Sequence, residues 1–84
     1  MSRIVYVNGA YVPEEEAKVS VFDRGFLFAD GVYEVTSVLG GKLVDFAGHA
    51  RRLWRSLGEL DMAAPVDEAT LLDIHRELIT RNGL

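Results

Sequence analysis

The feature that most constrains this 84-residue chain is a change of period near residue 47. Before it, apolar residues come in short β-branched and aromatic runs separated by glycine-containing pairs. After it, they recur at helical spacing. Ile4, Val5, Tyr6 and Val7 lead into Asn8-Gly9, the pair best suited to a two-residue turn at positive φ. Ala10, Tyr11 and Val12 return and Pro13 stops the strand, so residues 3–12 predict a hairpin. Val32 to Leu39 reads as the strongest strand of the chain. Alternation puts Tyr33, Val35, Ser37 and Leu39 on one face and Val32, Glu34, Thr36 and Val38 on the other. Gly40-Gly41 predicts a second tight turn, with Lys42 to Asp45 returning.

From Ala47 onward, His49, Leu53, Leu57 and Leu60 keep helical register with Trp54 beside them. Gly58 weakens this helix by about 1 kcal/mol against alanine. Ala63-Ala64-Pro65 breaks the pattern. Asp67 offers an N-cap, Leu71, Ile74, Leu78 and Ile79 form a stripe, and Asn82-Gly83 is a stop signal. Strands followed by helices define an α+β domain: a small antiparallel sheet with two C-terminal helices packed on one face. The length allows one domain, residues 1–84. A chain this short buries only about 60–65% of its unfolded surface, so its core is marginal.

The composition narrows the function classes. Nine Lys and Arg are scattered among thirteen Asp and Glu, for a net charge of −4, so no basic face is available for nucleic acid. Glu14, Glu15 and Glu16 read as a solvated acidic patch. The apolar runs are far short of the ~20 residues that span a bilayer, and the first residues do not resemble a secretory signal. Cysteine is absent, which excludes disulfides and thiolate metal sites and fits a cytoplasmic protein. The expectation is therefore no metal, no membrane and no nucleic acid.

Two segments suggest chemistry. Asp23-Arg24-Gly25-Phe26-Leu27-Phe28-Ala29-Asp30-Gly31 reads as an irregular, partly buried loop; it is either a site-shaping loop or a well-packed turn. His49-Ala50-Arg51-Arg52-Leu53 lies near a helix start, where basic side chains and unpaired N–H groups can hold a phosphate. Its plain alternative is two solvated arginines and a half-buried histidine. Glu34, on a face with Val32 and Val38, calls for a charged partner. His49 and His75 fall on different helices and are not spaced as a zinc pair.

Together these segments carry a resemblance. Positions 23 to 35, Asp-Arg-Gly-Phe-Leu-Phe-Ala-Asp-Gly-Val-Tyr-Glu-Val, resemble the D-amino-acid aminotransferases. The Val-Asn-Gly hairpin, the Gly-Gly-Lys turn and His-x-x-Arg-Leu occur in matching order, so the resemblance spans nearly the whole chain. It implies the N-terminal small domain of a two-domain, usually homodimeric enzyme. In that family pyridoxal phosphate is held as a Schiff base by a lysine of the larger domain. By the resemblance Arg52 holds the cofactor phosphate and Arg51 is a variable position. Tyr33 lines the substrate pocket and helps bind the substrate carboxylate, with Glu34 and His49 in supporting polar roles.

The chain departs from a complete family member in its lysines. Lys18 and Lys42 are its only two, and neither matches the Schiff-base position. The resemblance therefore implies an inactive piece of an active enzyme, partnered by a C-terminal catalytic domain. Three functions follow: a transaminase domain acting on D-amino acids and 2-oxo acids; a related branched-chain aminotransferase or aminodeoxychorismate lyase domain; and a non-enzymatic module that only self-associates.

Overall fold

Turn chemistry decides the first element. Asn8 and Gly9 both sit at positive φ, 50° and 87°, and join β1 (Ile4–Val7) to β2 (Ala10–Pro13) with Val7 opposite Ala10. This computed structural model of the chain describes residues 2–84. Pairs alternate from the two-residue turn, so Ile4–Pro13 is a pair that exchanges no ladder bonds. Pro13, which lacks an N–H, therefore costs the ladder nothing there. The outward-facing Ile4 N–H and C=O bond instead to the Asn82 side-chain amide, at 2.8 and 2.9 Å.

The second ladder is shorter than the pattern predicts. Only β3 (Val38–Leu39) and β4 (Lys42–Leu43) pair, around Gly40 and Gly41 at φ 58° and 76°. The returning chain leaves the ladder at Asp45 to start a helix, so residues 32–36 find no partner strand among the described residues. The predicted alternation nevertheless holds. Val32, Glu34, Thr36 and Val38 are half-buried, while Tyr33, Val35, Ser37 and Leu39 are exposed.

Residues 23–31 correct the loop reading. Arg24–Phe28 form a short helix, α1, with the Asp23 side chain accepting from the Gly25 N–H and Ala29 closing it in the left-handed region. It is not partly buried: Phe22, Phe26 and Phe28 are 78%, 75% and 71% exposed. No other element of the described chain covers it, so its aromatics stand in solvent.

The long helices are α2 (Phe46–Glu59) and α3 (Glu68–Asn82). Asp67 caps α3 as its position predicts, accepting from the Thr70 N–H at 2.7 Å. At the other end Gly83 adopts φ 66° and the Leu84 N–H bonds to the Ile79 carbonyl, a Schellman closure. Helix α3 packs along β1, and Arg81 lies 4.4 Å from the Tyr11 ring centroid. The architecture is α+β, with its strands in two separate antiparallel pairs. The molecule is 17 Å through its thinnest direction, and among the described residues only Ala50 and Leu57, both on α2, are buried. Among the described residues no helix is long and apolar enough to cross a membrane.

Candidate functional site

Helix α2 builds the site. Its start is set by Asp45, in the left-handed region at φ 54°, whose carboxylate accepts from the Gly48 N–H. A Cβ at Gly48 would meet that carboxylate, so a larger residue there would make the capping side chain shift. The Asp45 carboxylate takes one of the N–H groups that the helix start leaves unpaired. The Asp-x-x-Gly spacing ahead of the helical pattern was the signal for this cap.

Three residues apart on α2, His49 and Arg52 share a face. Both reach Glu34. Arg52 Nε donates to Glu34 Oε2 at 3.0 Å and Arg52 Nη2 donates to Oε1 at 2.8 Å, a two-pronged pair. His49 Nδ1 lies 2.7 Å from Oε1. A carboxylate only accepts, so Nδ1 carries the hydrogen. The 3.3 Å approach of Arg52 Nη2 to that nitrogen then reflects two donors converging on one oxygen. The charged partner that the alternation demands for Glu34 is thus Arg52, with His49 as a further hydrogen-bond donor.

The electrostatics follow from these contacts. Hydrogen bonds from Arg52, then His49, hold the Glu34 carboxyl at about 2, well below its ordinary 4.5. The same pair raises the Arg52 guanidinium above its ordinary value. Glu34 is nearly covered, 16% exposed, whereas the Arg52 side chain is 64% exposed. Among the described residues Glu34 takes Nε and Nη2 of Arg52, and nothing in the chain takes Nη1. The guanidinium therefore presents an uncommitted edge to solvent.

Tyr33 is brought to the same place from the other face of the segment. It is 85% exposed and borders, with Glu34 and His49, an open cleft of about 250 Å³. Arg51, one position from Arg52, is exposed and forms no ion pair among the described residues. The structure thus gathers Tyr33, Glu34 and His49 around one cleft, with Arg52 held against Glu34, and leaves Arg51 aside. Sequence reasoning missed His75. It comes from α3 to the same cleft, with its Nδ1 donating to the Leu71 carbonyl and its ring edge-on to Phe46 at 5.2 Å. No sequence signal joins His75 to His49; helix packing does. No group of three or more metal-ligating side chains forms among the described residues.

An exposed guanidinium held in place by a carboxylate is suited to gripping an anion such as a phosphate. Comparison with known proteins finds relatives for the chain that carries it. No family model matches the chain. Over 95% of its length, however, it is 42% identical to a D-alanine aminotransferase of Staphylococcus haemolyticus. It is 37% identical to that of Staphylococcus aureus and 35% identical to that of Listeria monocytogenes, again over 95% of its length. The chain spans about 28% of the length of these relatives. Over nearly its whole length the chain is thus similar to D-alanine aminotransferases, in keeping with the resemblance that positions 23–35 carry.

Proposed function

We propose that this chain is the N-terminal domain of a pyridoxal-phosphate-dependent transaminase that moves the amino group between D-amino acids and 2-oxo acids. The observation that carries the reading is the state of Arg52: gripped by Glu34 on one edge, open to solvent on the other. The names of the relatives support D-alanine as the type of donor.

The residues present fit the cofactor in their donor chemistry. Arg52 retains N–H groups for the phosphate oxygens, and a guanidinium matches a phosphate through paired hydrogen bonds. Once bound, pyridoxal phosphate supplies the electron sink for the reaction. This domain binds and orients. Arg52 anchors the phosphate, Tyr33 donates its hydroxyl hydrogen to the substrate carboxylate, and Glu34 and His49 support them. Lys18 and Lys42 are both exposed and outside this cluster. The lysine that bears the cofactor is therefore assigned to a larger C-terminal domain, which this domain partners in a cytoplasmic homodimer. The isolated 84-residue chain is expected to catalyse no transamination.

The test is made on the full-length enzyme. D-alanine with a 2-oxo acid should yield pyruvate. Turnover of L-branched-chain amino acids alone would move the domain to the branched-chain relatives. Arg52→Ala should weaken cofactor binding about 10- to 150-fold, the loss of a hydrogen bond to a charged group. Arg51→Ala should change it little, because adjacent helical residues point about 100° apart. Equal losses for the two arginines in a dissociation assay would show that the phosphate lies elsewhere.

A further inference from the structure

We propose that Glu34 is a positioning residue for Arg52: by occupying the Nε–Nη2 edge of the guanidinium it dictates that an anion is gripped end-on, through Nη1 and the outer hydrogen of Nη2. This role rests on the reading of Arg52 as the phosphate anchor and goes beyond it, because it assigns an orientation and a residue that controls it. Three observations support it. Glu34 engages two nitrogens of Arg52 at 3.0 and 2.8 Å, the two-pronged geometry that fixes a guanidinium plane. Glu34 is itself anchored: its side chain is only 16% exposed and Oε1 also accepts from His49 at 2.7 Å. Arg52, by contrast, stands on an exposed face of α2, and its long side chain would otherwise sample many rotamers.

The simple electrostatic expectation has the opposite sign. A carboxylate near a phosphate repels it, so removing Glu34 would tighten phosphate binding if charge alone mattered. Orientation outweighs repulsion here because Glu34 takes the adjoining edge and faces away from the open one, and the Arg52 charge offsets its own. A flexible arginine must lose its rotamer freedom on binding, whereas a held one has already lost it. Glu34 thus works through Arg52 and has no contact with the anion.

The experiment is a double-mutant cycle in the full-length enzyme, read as equilibrium affinity for pyridoxal phosphate and, separately, for pyridoxal, which lacks the phosphate. Glu34→Ala should weaken pyridoxal phosphate binding roughly 10-fold, within the range over which members of one hydrogen-bond network couple. It should leave pyridoxal binding unchanged. Glu34→Gln, which keeps the size and one acceptor oxygen, should recover part of the loss and guards against misfolding of the alanine variant. In an Arg52→Ala background, Glu34→Ala should have no further effect. Tighter binding of pyridoxal phosphate by Glu34→Ala would overturn the role, and so would equal losses for the two ligands or additive losses in the cycle. If Arg52→Ala itself spares the preference for the phosphorylated ligand, the anchor assignment falls and this role falls with it. A failure confined to Glu34 would leave the anchor standing.

Discussion

The first hairpin and the segment from Val19 to Leu39 are built from similar residues and end in opposite states. Tyr6 and Tyr11 pair across the hairpin, 5.0 Å between centroids, and the hairpin is clasped to α3 by Asn82 and by Arg81 against Tyr11. In the later segment Val19, Val21, Phe22, Phe26, Phe28, Tyr33, Val35 and Leu39 are all strongly exposed. Its main tie to the helices is Glu34, with His49 and Arg52. The hairpin is thus held within the fold by α3. The segment leaves many large apolar side chains in solvent. It is also the stretch that carries the resemblance at positions 23–35.

Four measurements sharpen or break this contrast. The largest effect is expected at Leu57, one of only two buried residues described. Leu57→Ala should cost about 2–5 kcal/mol in a denaturant melt, the range for cavity-forming core substitutions. A smaller loss would mean that the core is shared more widely than the burial indicates. Asn82→Ala should cost about 1–3 kcal/mol, because the outward Ile4 N–H and C=O lose their partner while half-buried. A negligible change would show that water replaces the clasp and that the hairpin is less firmly attached than its contacts suggest.

Acid should loosen the other region. The Glu34 carboxyl is depressed in the fold from 4.5 to about 2, so its contribution to stability is complete above about 4.5 and is lost as the pH falls toward 2. Carboxyl-carbon NMR of Glu34 should give a midpoint near 2 that returns toward 4.5 in Arg52→Ala. An unshifted midpoint in the original chain would remove the tie between this segment and α2. The smallest effect on stability is expected at Phe26, 75% exposed. Phe26→Ser should change the melting free energy by no more than about 0.5 kcal/mol. It should nonetheless reduce concentration-dependent association of the isolated chain, followed by light scattering. A monomer at every concentration before the substitution would argue that the apolar edge is not a docking surface.

Local signals accounted for much of the architecture. Asn8-Gly9 and Gly40-Gly41 specify turns because their φ angles are available to few other residues. Asp67 and Gly83 bound α3 because capping is a matter of a few neighbouring atoms. The alternation of residues 32–39 predicted which face each side chain takes, and it set Glu34 apart as a charge in need of a partner. Two local signals were read too weakly: Asp45 ahead of Gly48, and the Asp23 cap that turns the aromatic loop into a short helix.

The sequence by itself therefore determined the turns, the limits of α3, the face of each residue in the alternating segment and, through its motif, the resemblance to a family. It could not determine which residues meet. A strand needs a neighbour, and the path of the chain after Val44 leaves residues 32–36 without one among the described residues. Glu34 meets Arg52 across eighteen positions and Ile4 meets Asn82 across seventy-eight. Those pairs form because α2 lies against residues 32–37 and α3 along β1, and packing of that kind depends on the whole chain at once. Periodicity shows that a side chain points inward; only the tertiary structure says what waits there.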